Sequence, residues 1–376
     1  MSENIVSRLN IETSIATETI TPSPYISGSG NLFPKFVDAI SQTSWELWYF
    51  DGVSKDDQSA ISIGFNRSAD GLKHGGFKVQ VFTVWPDGHT WHRDLYLPES
   101  TVTSEDGHIT GEWENAASGG RVSFSVTRDY SLAVLAFSVP GVVDGTMQLE
   151  TLPGDSGLNT NPLAGPQVPY VRPMGRASVR ADLSLFSRDS SESEQFILGP
   201  SANGGMDRVW TLYTWSQVMT ESYYLRAQVG PYAMQITHLV SEAESGYKPH
   251  TMARLYRDGK LICAANQVLT YEEQDFSEDS LILSKRYDAS PEDAVTGAYR
   301  DKNTGYVVEF VAKGTAGQRW LFQVDHERIF WNYPTSAPGP DGTGNTGFVE
   351  SVIGGANKEA FFGVGTGGQC QLSGAR

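Results

Sequence analysis

Cysteine is almost absent from this chain: Cys263 and Cys370 are the two in 376 residues. Two thiols cannot build a disulfide scaffold and are not spaced as a metal site, so the chain is expected to work reduced. Positive charge is scarce too. With 28 Lys and Arg against 44 Asp and Glu, the formal net charge is −16, which repels phosphate backbones and anionic membranes, and no basic cluster offsets it. Nucleic acid is excluded as a partner on that ground. Long apolar runs are missing as well. No stretch approaches the roughly 20 residues of a membrane span, and the N-terminal MSENIVSRLNIETSIATETITPSPYISGSG lacks the apolar run of a signal peptide. The expectation is a soluble, cytoplasmic protein with no membrane insertion.

The familiar catalytic constellations are also missing. His74, His89, His92, His108, His238, His250 and His326 are scattered, and on a strand the spacing of His89 and His92 sends them to opposite faces, which makes poor joint metal ligands. No G-x-S-x-G elbow occurs. The run Gly363-Val364-Gly365-Thr366-Gly367-Gly368 has no following Lys-Ser or Lys-Thr and no βαβ setting, so it reads as turns or as strands in close contact and not as a phosphate cradle. Metal and cofactor are both expected to be none.

What the sequence does contain is glycine, proline and aromatic residues: 39 Gly, 18 Pro, 17 Phe, 16 Tyr and 9 Trp, the profile of a β-rich chain with many turns. The length predicts two domains. Strand patterns are expected at 44–51, 60–66, 76–85, 90–97, 121–127, 132–139, 145–152, 176–187 and 195–198. Turn chemistry at Pro86-Asp87-Gly88 and Pro140-Gly141 separates some of them. The stretch from Pro153 to Pro173 reads as a long irregular excursion. After Gly199–Gly205 and an aromatic bridge at 210–219, a second series is expected at 223–229, 233–239, 251–257, 260–269, 280–285, 294–299, 306–312, 319–326, 328–331, 347–353 and 368–372. Hairpins are predicted at Arg257-Asp258-Gly259-Lys260 and at 301–305, with one short helix near 215–221. Hairpin logic gives two antiparallel β domains, each a sandwich or a small barrel.

The strand SWELWYFDGVS, residues 44–54, poses the functional question. Alternation puts Trp45, Leu47, Tyr49 and Asp51 on one side and Glu46, Trp48 and Phe50 on the other. Aromatics on both sides argue that both are covered, yet each side also holds a carboxylate, which is costly to bury unless hydrogen-bonded. One face reads as core and the other as a pocket wall; the alternative is a strand buried between two layers with its acids at the rim. The strand at 76–85 repeats the ambiguity, with Lys78, Gln80, Phe82 and Val84 on one side, and so does 223–228.

Several long stretches carry a resemblance. Gly30-Asn31-Leu32-Phe33-Pro34-Lys35-Phe36, Ser44–Asp51, His74-Gly75-Gly76-Phe77, Val84–Gly88, Ala227–Tyr232, Met252–Tyr256, Pro334–Gly344 and Gly365–Gln369 resemble, in order, the fungal decalin-forming Diels–Alderases, most of all those of the equisetin and fusarisetin type. The opening strand is also similar, more weakly, to carotenoid-hydratase-like proteins. The resemblance implies an all-β fold of two domains, with a tail at 1–30, an N-terminal antiparallel β-sandwich at 31–215 and a C-terminal lipocalin-like β-barrel at 216–376. It implies a cofactor-independent, stereoselective intramolecular [4+2] cycloaddition of a linear polyenoyl tetramic acid to a decalin, in fungal secondary metabolism. The catalytic set it implies is Asp51, Gln80, Tyr49, Asn357 and Lys358. Trp45, Trp48, Phe82, Tyr170, Trp215, Tyr223, Arg226, Asn345 and Phe348 are implied as substrate-binding, with Trp215 and Phe348 equally readable as interdomain core. The Trp45–Asp51 strand and Tyr223 match the family motif; Tyr49 and Phe82 replace more polar residues, and Lys358 is displaced by one position. The alternatives are a hydratase or isomerase using Asp51 or Glu46 as acid, and a non-catalytic carrier of a hydrophobic metabolite.

Overall fold

The structure, a computed structural model, describes residues 4–153, 163–165, 167–187, 192–273, 277–287, 294–314, 318–337, 341–372 and 374. Parts of the 153–173 excursion and of the 334–344 motif therefore lie outside the described residues. The chain divides into two compact units, Met1–Pro162 with Gln167–Thr214, and Leu163–Pro166 with Trp215–Arg376.

The first unit contains β1 (Ile5–Asn10), β2 (Trp45–Ser54), β3 (Ala60–Ser68), β4 (Phe77–Val84), β5 (Thr90–Leu97), β6 (Glu99–Glu105), β7 (His108–Asn115), β8 (Gly120–Val126), β9 (Leu132–Val139) and β10 (Val143–Thr151). After the short β11 (Leu163–Gly165), which groups with the second unit, come β12 (Val168–Phe186), β13 (Ser193–Leu198) and β14 (Ala202–Thr211). The strands run antiparallel in the order β1-β6-β7-β8-β9-β10-β12-β14-β2-β3-β4-β5, with β13 beside β12. This sheet folds back on itself. Trp48 of β2 meets Trp113 of β7 edge-on at 5.8 Å, Phe65 of β3 meets Trp113 at 5.0 Å, and Phe50 meets Phe124 of β8 at 5.6 Å. Interlocked rings in an apolar seam are what hold two β layers together, so the expected antiparallel β-sandwich is present.

The second unit begins with the one-turn helix α1 (Trp215–Val218) and continues through β15 (Glu221–Val229), β16 (Tyr232–Val240), β17 (Pro249–Arg257), β18 (Lys260–Ala265), β19 (Ser280–Arg286), β20 (Gly305–Val311), β21 (Arg319–Pro334), β22 (Gly344–Ala356) and β23 (Phe361–Gln371). Its sheet order is β18-β17-β16-β15-β23-β22-β21-β20-β19. The two edges come together: Val268 and Leu281 form a parallel bridge, with Leu269 N donating to Leu281 O at 2.8 Å and Leu281 N to Gln267 O at 3.0 Å. Closure removes the exposed sheet edges. Leu225, Met234, Leu255, Phe310, Phe322 and Val324 fill the interior of this barrel.

The structure corrects several sequence expectations. Residues 5–10, expected in a tail, form β1 and pair with β6. The segment β14, expected as linker and bridge, is a central strand between β12 and β2; Gly204 is needed there because a Cβ would run into the Asp51 carbonyl. Strands β6 and β7 were not expected. Residues 294–299 are not a strand and 301–305 are not a hairpin, since β20 starts at Gly305 and pairs with β19 across the intervening segment. The two strands expected at 319–331 are one, β21, interrupted by register shifts between His326 and Arg328 and between Ile329 and Trp331.

Candidate active site

Strand β2 answers the question its sequence raised. Glu46, Trp48 and Phe50 point into the sandwich, and all three are fully buried. The Glu46 carboxylate is held there by Arg67 Nη1 at 3.4 Å, by Arg208 Nη2 and by the Lys35 backbone N–H at 2.9 Å. Arg208 lies over the Trp48 ring at 3.8 Å. The ammonium of Lys35 sits 3.8 Å from the Phe33 ring centroid, and burial beside Arg208 lowers its pKa to about 6. This is a structural ion cluster. Trp48 belongs to it and to the core, its indole N–H donating to Leu32 O at 2.8 Å, so the expected role for Trp48 as a substrate wall is corrected.

The opposite face of β2 is the one of chemical interest. Cross-strand partners share a face, and the register sets Asp207, Tyr49, Gly64, Gln80 and Asp94 in one row across β14, β2, β3, β4 and β5. The neighbouring row is Gly205, Asp51, Ser62, Phe82 and His92. Asp51 is 1% exposed, and its Oδ1 accepts the Gly205 N–H at 2.9 Å. Asn66 Nδ2 donates to Gln80 Oε1 at 3.4 Å. Phe82 stacks with His92 at 6.0 Å. Tyr170 joins from β12, its hydroxyl donating to Asp207 Oδ2 at 2.8 Å, with Arg172 Nε 3.5 Å from Asp207 Oδ1. Burial lowers the Lys78 ammonium on this face, against the opposing pull of Asp94 and Asp70. Trp45 is at the end of the same face, its indole N–H donating to Tyr213 O at 2.9 Å. Tyr49, Asp51, Gln80, Phe82, Tyr170 and Trp45 are thus together on one surface.

In the second unit the expected residues fall on different surfaces. Tyr223 and Phe348 point into the barrel, where Tyr223 stacks on Tyr306 at 3.9 Å and Phe348 on His326 at 3.7 Å. His326 Nδ1 is 2.8 Å from Glu350 Oε2 and its Nε2 is 3.3 Å from Asn303 Nδ2. Burial, then the nearby Glu350 carboxylate, raises the Tyr223 hydroxyl well above the ordinary phenol pKa. Arg226 and Asn345 take the outward side of the same strands, with Tyr224 and Trp331, whose rings lie over Gly368 and Gly347. Those glycines, with Gly367 beneath the Glu350 carboxylate, explain the glycine-rich run as close packing. Trp215 opens α1 and is 37% exposed. Asn357 and Lys358 are exposed and form the β22–β23 turn with φ of 47° and 73°, closed by Glu359 N donating to Ala356 O at 2.8 Å. Nine residues of strand, about 30 Å, separate them from Phe348, so the structure does not bring them to Tyr223.

Sequence reasoning missed Asp207, Arg172 and Asn66 on the first surface, and Tyr306, His326 and Glu350 in the barrel. Their partners are far along the chain, and only strand register puts them together.

The family described as Diels-Alderase-like matches residues 1–373. A protein named Diels-Alderase from Gibberella fujikuroi is 82% identical over 373 residues, covering 99% of this chain and 100% of that protein. The crystal structure of CghA with Sch210972 matches with a TM-score of 0.90 at 34% identity, covering 99% of this chain and 100% of that one. Kievitone hydratase from Nectria haematococca, at 9% identity and a TM-score of 0.53 over 95% of this chain and 97% of its own, shares the fold.

Proposed function

The chain belongs to the Diels-Alderase-like family, and from that premise we propose that it closes a linear polyenoyl tetramic acid to a decalin by intramolecular [4+2] cycloaddition. The observation that carries the reading is the clustering of Tyr49, Asp51, Gln80 and Phe82 on the non-core face of β2–β4. A tethered diene and dienophile have many rotors, and few conformers bring the four bond-forming carbons together. A stiff surface that favours one conformer removes part of that entropic barrier; oriented intramolecular reactions gain up to about 7–11 kcal/mol, and one that is already tethered gains less. Tyr49, Phe82 and Trp45 supply rigid apolar contact.

Polar groups on the same face add an electrostatic term. The Gln80 amide, its oxygen engaged by Asn66, presents its N–H groups as donors to a carbonyl conjugated with the dienophile. Such a bond lowers the accepting orbital and steadies charge that builds in an asynchronous transition state, and preorganised donors contribute about 3 kcal/mol in other enzymes. Asp51, fixed by the Gly205 N–H, orients its neighbours. Trp45 and Tyr170 bound the surface. Arg226 and Asn345 are proposed as polar contacts on their own face of the barrel.

The test is incubation of the protein with the linear polyenoyl tetramic acid, following product mass and ring count. A faster-formed isomeric bicycle of one diastereomer supports the reading. A product heavier by one water indicates a hydratase, unchanged but protected substrate indicates a carrier, and either overturns it.

A further inference from the structure

Strand β3 crosses the middle of the surface just described, and two of its residues there, Ser62 and Gly64, pair through the backbone while the packing explains neither side-chain choice. Ser62 lies directly between Asp51 and Phe82 in register and is fully buried. Among the described residues its Oγ has no hydrogen-bond partner. A buried hydroxyl left unpaired is destabilising and uncommon in folded proteins. Two positions along on the same face is Gly64, between Tyr49 and Gln80.

Glycine weakens a strand interior, so it needs a reason. At three other glycines of this unit the reason is packing: a Cβ on Gly204 would strike the Asp51 carbonyl, on Gly111 the Phe124 ring, and on Gly76 the backbone of Tyr96 and Leu97. Gly64 has neither a positive φ nor such a collision. A Cβ there would meet only side-chain ends, Leu47 Cδ1 at 3.3 Å, Asn66 Nδ2 at 3.4 Å and Gln80 Oε1 at 3.9 Å. Among the uses of a strand glycine is a place where a ligand approaches the backbone closely, and at Gly64 the neighbours that a Cβ would press on are side-chain ends, which can shift, and not backbone.

We infer that Ser62 and Gly64 are the floor of the substrate site: Ser62 Oγ donates a hydrogen bond to a substrate carbonyl oxygen, and Gly64 gives the clearance that lets the folded polyene rest between Tyr49 and Gln80. This rests on the proposed cycloaddition and assigns two further substrate contacts to it. The spacing of the two residues suits a ligand with a polar end and an apolar body, one pleat apart.

The experiment compares Ser62→Ala and Gly64→Ala with the wild type, measuring Tm, kcat, KM and diastereomer ratio on the linear polyenoyl tetramic acid. For Ser62→Ala the expected result is an unchanged or raised Tm, because no protein hydrogen bond is lost, with kcat/KM down by about three- to tenfold, the value of one hydrogen bond. For Gly64→Ala it is a retained Tm with raised KM and an altered diastereomer ratio. A lowered Tm in Ser62→Ala would mean that the hydroxyl has a structural partner and overturns its assignment, as does an unchanged kcat/KM. Unchanged KM and product ratio in Gly64→Ala overturn the clearance role; if that variant does not fold, Ser62→Ala decides alone. Wild-type conversion is the control: its absence sinks the cycloaddition itself, whereas wild-type activity with unaffected variants sinks only the floor.

Discussion

Glu46→Gln offers a sharp test of how the two faces of β2 divide their labour. The Glu46 carboxylate is the acid that Arg67 and Arg208 share, and all three side chains are fully buried. Gln keeps the shape and one acceptor but removes the charge, and its amide N–H groups then face guanidinium N–H groups. Arg67 retains Ser100 Oγ at 2.7 Å and Ser7 O at 3.0 Å, and Arg208 retains Leu47 O at 3.2 Å and Val209 O at 3.1 Å. Hydrogen bonding therefore survives in part, while two buried cations lose their counter-charge. Removing one partner of a buried pair costs about 3–5 kcal/mol, and the remaining carbonyl contacts favour the lower end. At roughly 2–4 °C per kcal/mol for a domain of this size, Tm should fall by about 6–12 °C. Thermal unfolding followed by near-ultraviolet circular dichroism, which reports the Trp48–Trp113 contact, measures it. Asp51→Asn, on the other face, keeps an acceptor for Gly205 N–H and should shift product ratio with a far smaller change in Tm. A Glu46→Gln variant within 2 °C of wild type would refute the reasoning.

Other consequences are equally direct. Burial lowers Lys35 from 10.5 to about 6, so between those values the unfolded chain holds one more proton and stability rises with pH. The gain is lost as pH falls through about 6; relative to Lys35→Met, wild-type stability should climb over that window in urea titrations at stepped pH, and a constant difference would contradict it. Tyr306 Oη donates to Gln369 Oε1 at 2.8 Å in the barrel interior, so Tyr306→Phe should cost about 1–3 kcal/mol by leaving a buried acceptor unpaired, read as a lower urea midpoint. Lys358 sits at φ 73° in the turn between β22 and β23, a left-handed conformation that favours glycine. Lys358→Gly should add about 0.4–1 kcal/mol of stability with turnover retained; lost turnover would return Lys358 to the catalytic set.

Much of the fold could be read from the sequence because the signals were local. Alternation along 44–54 identified both faces of β2, and Pro86-Asp87-Gly88 and Asp258-Gly259 marked turns that the structure contains, with Gly88 and Gly259 at positive φ. What escaped was non-local. The strand β14 is disguised by Gly204 and Gly205; the missing side chain of Gly204 reflects the Asp51 carbonyl, far away in the chain. The strand at 5–10 within the polar N-terminal stretch escaped because the pairing of β1 with β6 spans a long separation. Trp48 looked like a pocket wall because alternation defines two faces without saying which meets Arg208 and Trp113. Asn357 and Lys358 looked chemical because a polar pair in a type I′ turn has the same composition as a polar pair in a site. Tyr223 and Arg226 are three residues apart, so strand parity alone placed them on opposite faces.

The non-core face of β2–β4 is proposed to hold one folded form of a flexible chain. The most direct measurement is the rate and diastereomer ratio of decalin formation from the linear polyenoyl tetramic acid with wild type and with Gln80→Ala, whose Tm serves as the folding control. The account predicts one dominant diastereomer from wild type, and from Gln80→Ala a rate lower by about a hundredfold, the loss of one preorganised donor, at an unchanged Tm. Equal rates and equal ratios from the two folded proteins would contradict it.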